Sequence, residues 1–305
     1  MKISLDALAM LDAIDARGSF AAAADALHRV PSALTHAVRK LEDDLGFPLF
    51  EKVGRRALLT DAGRTLLEDG RQILRAAGEL ERRARRVATG WEAELRIALD
   101  TIVDATAFYP LLAEFYANYG GTRIKLLHEV LGGAWDALAT ARADLAIGAA
   151  GDPPAGSSYQ VRAWGSVEFV FCVAPHHPLA ALPDPLPLTT VREYRAVVIA
   201  DTSRQLLARS AGLLNGQDTL TVPDLCAKTA AQRAGLGVGR LPKGLAETEA
   251  AAGRLVIKRL DEEVRQIPLS LAWPAGHEGR ALEWFVARLS EIGCPQELIL
   301  SRLPG

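Results

Sequence analysis

The sequence predicts an α/β protein in which a small helical module with a hairpin precedes a larger, two-lobed α/β domain. Three observations predict it. The first 60 residues carry three amphipathic helical patterns and one short alternating segment. Residues 61–90 keep a seven-residue repeat. From residue 95 onward, short apolar strands alternate with helical stretches, the signature of strands joined by helices.

A chain of 305 residues is long enough for about two domains. With 49% hydrophobic and 24% charged residues, it has a globular composition and can bury a sizeable core. Cys172, Cys226 and Cys294 are odd in number and lack CxxC spacing, so they read as reduced thiols of a cytosolic protein. The start of the chain has no leader pattern, and no apolar run approaches the roughly 20 residues of a membrane span. A cytoplasmic protein without membrane contact is expected. The net charge is -2, and residues 1–90 hold 15 Lys and Arg against 13 Asp and Glu. That excess is too small to identify a nucleic-acid binder, so pattern must do it.

In residues 5–18, Leu8, Leu11 and Ile14 recur at helical spacing, with Leu5 one turn earlier and Gly18 as the stop. Ser19 is placed to cap 19–29, whose alanines favour helix. In "HRVPSALTHAVRKLEDDLG" (28–46), Leu34, Val38, Leu41 and Leu45 form an apolar stripe. Pro31 suits the first helical position, where its missing N–H costs nothing, and Gly46 ends the helix. Ser32, Thr35, His36 and Arg39 form a second stripe on the opposite side. A plain solvated face would be rich in Glu and Lys; this one mixes donors and acceptors. "FPLFEKVGRRALLT" (47–60) alternates around Gly54 as a small wing, with Lys52, Arg55 and Arg56 at its tip.

Thr60 then caps a long helix to residue 90. Gly63, Gly70, Ala77 and Ala84 share one heptad position, and Leu66, Ile73, Leu80 and Val87 the position three residues later. Small against large over about four heptads predicts a seam with a partner helix; a helix lying on its own domain is the competing reading. Beyond it, strands are predicted at "LRIALD", "RIKLLHEV", "DLAIGA", "VEFVFCVA", "RAVVIA", "LTV", "LGVGRLP" and "IPLSLAWP". Helices are predicted at "AFYPLLAEFYANYG", "AWDALATARA", "RQLLARSAGLLN", "DLCAKTAAQRAG" and "GRALEWFVARLSEIG". Largely parallel sheets are expected.

Three helices, a wing and a long helix make a winged helix-turn-helix layout. The segment "GSFAAAADALHRVPSALTHAVRKLEDDLGFPLFEKVGRRALLTDAG" resembles the N-terminal module of LysR-type transcriptional regulators, through its "GSF…AAA…L" opening, "LE…LG…LF" centre and "LT…AG" start of the linker helix. "RADLAIG" and "AGLGVGRLP" are similar to landmarks further along that family. The resemblance implies a winged helix-turn-helix DNA-binding domain (1–60), a linker and dimerisation helix (61–90) and a periplasmic-binding-protein-like effector domain (91–305). Lobe I would be 91–163 and 267–305, and lobe II 164–266. It also implies a homodimer or homotetramer, promoter DNA and a small-molecule effector as partners, and RNA polymerase as a further contact. No cofactor is implied. Val30, Pro31 and Ala37 stand where many members carry Ser, Gln and Gln, so operator sequences of relatives do not transfer.

Within that layout, Ser32, Thr35, His36 and Arg39 are candidates for contacts to bases and phosphates, with Pro31 opening their helix. The Ser19 helix start could meet a phosphate or be a plain cap; Arg55 and Arg56 are candidates at the wing. Effector sites in such folds lie beyond strand ends, where helix N-termini offer free N–H groups. The candidates are Thr101 and Ile102, Gly148, Trp164 near a lobe crossover, and Asp201, Thr202 and Ser203 ahead of a predicted helix. Asp201 is an odd wall for a carboxylate, which keeps an amine or hydroxyl-bearing effector open.

Other signals read as structure. "GLGVG" (235–239) lacks the strand–turn–helix context of a nucleotide loop, His176 and His177 lack further metal partners nearby, and no hydrolase, zincin or P-loop motif occurs. No enzyme and no metal are expected. A transport-type or enzymatic lobed protein is disfavoured by the N-terminal module. A constitutive DNA-binding repressor with a vestigial pocket remains the alternative to an effector-responsive regulator.

Overall fold

The computed structural model describes residues 2–53, 56–210, 212–295 and 298–301. The chain forms two compact units that divide between Ala84 and Arg85.

The first unit starts with α1 (Leu5–Arg17), α2 (Phe20–Ala26) and α3 (Pro31–Leu45). The local signals act as their chemistry demands. Ser4 and Ser19 accept N–H groups of the first turns of α1 and α2, and Gly18 and Gly46 end α1 and α3 in left-handed conformation. Leu11, Ile14, Leu34, Leu49 and Leu67 are fully buried at the centre. Strands β1 (Phe50–Val53) and β2 (Arg56–Leu59) pair antiparallel as the wing. Glu42 ties it to α3, its Oε1 accepting the N–H groups of Leu49 (2.7 Å) and Phe50 (3.2 Å).

Helix α4 (Asp61–Thr89) is capped by Thr60, whose hydroxyl accepts the Gly63 N–H at 3.0 Å. Its glycines do a different job from the seam expected of them. A Cβ on Gly63 would run into the Leu49 carbonyl, and one on Gly70 would lie 2.6 Å from Leu8 Cδ2. Arg71 bridges to Asp12 (2.7 Å) and Asp15 (2.8 Å) of α1. The first turns of α4 therefore lie on their own domain, and the glycines permit that close approach. Of the larger residues of the repeat, Leu66 packs on the core of the first unit, whereas Ile73, Leu80 and Val87 are 52%, 63% and 81% exposed.

The second unit alternates β3 (Glu94–Asp100), α5 (Ala105–Asn118), β4 (Arg123–Glu129), α6 (Gly133–Ala139) and β5 (Leu145–Ala150). The long strand β6 (Tyr159–Val173) leads out to α7 (Leu188–Val191), β7 (Ala196–Ile199), β8 (Thr219–Val222), α8 (Leu225–Arg233), β9 (Gly239–Pro242), α9 (Lys243–Ala251) and β10 (Val256–Lys258). Strand β11 (Arg265–Pro274) returns, followed by α10 (Arg280–Ile292). The main sheet runs β10-β6-β11-β5-β3-β4, with β9 also on β6. Helix α10 packs back on the first lobe, where Phe285 meets Phe115 of α5 at 4.9 Å between ring centroids.

Two expectations need correction. Among the described strands, β3 with β4 and β5, and β7 with β8, pair in parallel, while the β11 and β6 pairings are antiparallel. One of these strands carries the chain out to the second lobe and the other brings it back along the same path, so they run in opposite directions. The lobe boundary at 163–164 consequently falls inside a continuous strand. The helix expected at "RQLLARSAGLLN" is absent among the described residues. Asp136 Oδ1 accepts the N–H groups of Gln205 and Leu206, both at 2.8 Å, and Asp201 Oδ2 accepts that of Arg209 at 2.7 Å. Side-chain carboxylates thus take backbone donors that a helix would use internally, and Leu207 is left 93% exposed.

Candidate functional site

Two places in the molecule gather functional side chains. The first is the outer face of α3. Leu34, Val38 and Leu41 face the core, which turns Pro31, Ser32, His36 and Arg39 to the exterior. Ser32, His36 and Arg39 form no hydrogen bond or ion pair among the described residues. The Thr35 hydroxyl donates to the Pro31 carbonyl at 3.0 Å, leaving its oxygen free to accept. The turn before α3 is held by Arg29, which grips Asp6 at 2.8 and 3.1 Å. Ser19 is half-buried and its hydroxyl accepts the Ala22 N–H at 3.2 Å. Arg55 lies outside the described residues, as does the side chain of Arg56.

The second place is a cavity of about 330 Å³ between the lobes of the second unit, a size typical of small-molecule sites. The end of β3 supplies Asp100 and then Thr101 and Ile102, the β4–α6 turn supplies Val130 and Leu131, and the crossing strands supply Phe169, Ile267 and Leu269. The second lobe adds Ile199, Leu225 and Lys228. Arg209 reaches over from its loop, donating to the Ala150 and Asp152 carbonyls at 3.1 and 2.9 Å. Arg240 also lines the cavity and is ion-paired with Glu262.

Two groups on this wall are electrically unusual. Burial raises the Asp100 carboxyl to about 7, assisted by the charges of Asp201 and Glu129 and opposed by the N–H groups of Ile102 and Leu131. A carboxyl raised this far holds its proton at a higher pH than an ordinary aspartate, and in that form it can donate as well as accept. Burial also pushes the Lys228 ammonium down to about 8, with Arg240 adding repulsion.

Of the effector candidates, Thr101 and Ile102 line the cavity. Trp164 does not: it is 5% exposed in the first-lobe core, its indole N–H donating to the Leu289 carbonyl at 3.1 Å. Its large ring is better buried at the crossover than lining a pocket. Gly148 stands behind the wall, where its left-handed backbone (φ 79°) brings it against Val103 and Asp100.

Asp201, Thr202 and Ser203 form a latch beside the cavity. Thr202 Oγ1 accepts the Val130 N–H at 2.9 Å and donates to Glu129 Oε2 at 2.5 Å, and Asp201 accepts the Gly132 N–H at 2.9 Å. A Cβ on Gly133 would collide with the Thr202 hydroxyl, so the Gly-Gly pair admits the latch. Arg142 completes it by bridging Glu129 and Asp136. The "GLGVG" stretch is a packing device too: a Cβ on Gly237 would lie 2.6 Å from the Arg195 carbonyl oxygen.

Sequence reading missed Asp100, Phe169, Arg209, Lys228 and Arg240. Only Lys228 left a signal. Leu225, Lys228, Thr229 and Gln232 follow the i, i+3, i+4, i+7 rhythm of a buried helix face, and a lysine there is out of place.

With this geometry established, likeness to known proteins decides the family. Residues 5–64 match the bacterial regulatory helix-turn-helix protein model of the lysR family, and residues 88–293 match the LysR substrate binding domain. The chain belongs to the LysR family. Among relatives of this LysR-type regulator are the HTH-type transcriptional regulators YeeY and YhaJ of Escherichia coli. YeeY is 40% identical over 93% of this chain and 92% of its own length; YhaJ is 38% identical over 95% and 97%. The solved structure of CbnR, a LysR family transcriptional regulator, shares the fold at 20% identity, with a TM-score of 0.60 over 95% of this chain and 99% of that one. The LysR-type chain is thus a DNA-binding transcriptional regulator with an effector-binding domain. No described helix is long and apolar enough to cross a membrane.

Proposed function

We propose that α3 enters the major groove of promoter DNA and reads it through Ser32, Thr35, His36 and Arg39. The carrying observation is that the side chains of Ser32, His36 and Arg39 are exposed and unengaged within the described residues, with Thr35 beside them bonded only to the Pro31 carbonyl of its own helix. The fork of Arg39 suits a guanine edge or a phosphate; Arg55 and Arg56 would add phosphate or minor-groove contact from the wing. The protein works as a homo-oligomer joined through the Ile73, Leu80 and Val87 stripe of α4, whose exposure supports the reading. A small molecule held in the interlobe cavity changes how the oligomer sits on DNA. We read the chain as a cytoplasmic, non-catalytic regulator, in keeping with relatives that are HTH-type transcriptional regulators.

The test starts from an operator selected out of a random DNA pool. Arg39→Ala should weaken binding several-fold and lower the salt slope by about 0.9 if one phosphate contact is lost. Unchanged affinity and slope in a gel-shift titration would remove Arg39 from the interface. Footprints that change with an added metabolite separate this reading from a constitutive repressor with a vestigial pocket.

A further inference from the structure

The interlobe cavity is lined by an ammonium that no carboxylate pairs with among the described residues, although Asp100 shares its wall and the Cys172 thiol lies near it. Lys228 projects from α8 into the cavity wall and is 8% exposed. Its stem packs beside Gly239, where a Cβ would lie 3.3 Å from Lys228 Cε. No hydrogen bond or ion pair engages its ammonium among the described residues. The other cations of the wall have their own arrangements: Arg240 is paired with Glu262, and Arg209 donates to backbone carbonyls. One turn along α8, Gln232 has an amide oxygen without a partner, but a neutral acceptor cannot cancel a charge. Burying an ammonium alone is costly, and a counter-charge brought by a ligand would offset that cost.

The rest of the wall describes what carries that counter-charge. Phe169, Ile267, Leu269, Ile199, Val130 and Leu225 enclose most of the space, which favours an organic body over a hydrated inorganic ion. Asp100 stands in the same wall with backbone donors on its carboxylate.

We propose that the cavity takes a small organic monoanion, a carboxylate on a compact apolar body, whose charge pairs with Lys228. The proposal rests on the reading of this cavity as the effector site. Binding would close a charge-assisted hydrogen bond at Lys228 and cover the apolar wall from both lobes at once, so an anion placed there bridges them.

The experiment titrates the full-length protein by calorimetry with three acids (benzoate, cyclohexanecarboxylate, hexanoate), their neutral amides, the corresponding amines and inorganic phosphate. Wild type should bind at least one acid more tightly than its amide and should not bind phosphate. Because binding stabilises the protonated lysine, it should take up protons between about pH 8 and 10. Lys228→Met, shown to be folded by its thermal transition, should lose about 30-fold or more in acid affinity and lose the proton uptake, leaving amide binding unchanged. Amides or amines binding as well as the acids would overturn the anion assignment and leave the effector cavity standing. Phosphate binding as well as the acids would overturn the requirement for an organic body. Binding of none of the compounds would overturn both the assignment and the cavity reading.

Discussion

Replacing Lys228 by methionine should make the ligand-free protein more stable. The site holds a lysine that is 8% exposed and whose ammonium has no carboxylate partner among the described residues. Burial lowers its proton affinity from the ordinary 10.5 to about 8, and at about 1.4 kcal/mol per pH unit the charged form costs the fold about 3 kcal/mol. Methionine keeps the length of the stem and removes the charge; similar-volume exchanges in a core otherwise cost under about 1.5 kcal/mol. Net of that cost the gain is about 1.5–3 kcal/mol, which for a domain of this size would raise Tm by about 3–12 °C.

The pH dependence follows with a definite sign. The folded state releases the Lys228 proton near pH 8, whereas the unfolded chain keeps it to about 10.5. Between those limits the unfolded state binds more protons, so wild-type stability gains from this group as pH rises. The advantage of Lys228→Met is therefore full below pH 8 and shrinks through the window to pH 10.5. Differential scanning calorimetry of both proteins at pH 7, 9 and 10.5 reads this as a difference in which other groups cancel. A variant no more stable at pH 7, or an advantage that does not fall with pH, would refute the claim that Lys228 is an uncompensated buried charge.

Three further outcomes are expected. Gly63→Ala, which on a free helix would gain about 1 kcal/mol, should instead destabilise the first unit by about 1–3 kcal/mol, because its Cβ meets the Leu49 carbonyl; faster limited proteolysis of that unit is the readout, and a pure change of mass would favour the seam. Ile73→Asp puts a charge in the exposed stripe of α4 and should dissociate the oligomer in sedimentation while each protomer stays folded, its thermal transition falling only by what assembly had supplied; an unaltered mass refutes the stripe as an interface. Thr202→Val removes the hydroxyl that joins Val130 and Glu129, weakens the latch by about 1–3 kcal/mol and should shift the effector dose response; a response identical to wild type would show that the latch does not control the lobes.

The first unit was readable because its cues are local. Gly18, Ser19, Pro31, Gly46 and Thr60 act within a turn of their own position, and the leucine stripe of α3 needs only helical geometry to orient Arg39. The strands around β3, β5 and β7 were legible for the same reason. The stretch 204–215 defeated that logic, since the carboxylates that claim its amides come from Asp136, far away in the chain, and from Asp201.

The heptad of α4 shows the same division. Its periodicity is written in the sequence, but which members are covered depends on Leu8 and Leu49 approaching from elsewhere. By itself the sequence determined the DNA-reading module, the linker helix and the family, because short-range spacing encodes them. Only the tertiary structure decided the pocket. Asp100, Arg209, Lys228 and Arg240 share one cavity because the crossing strands fold two lobes together, and the burial that perturbs Asp100 and Lys228 exists only once those lobes have come together.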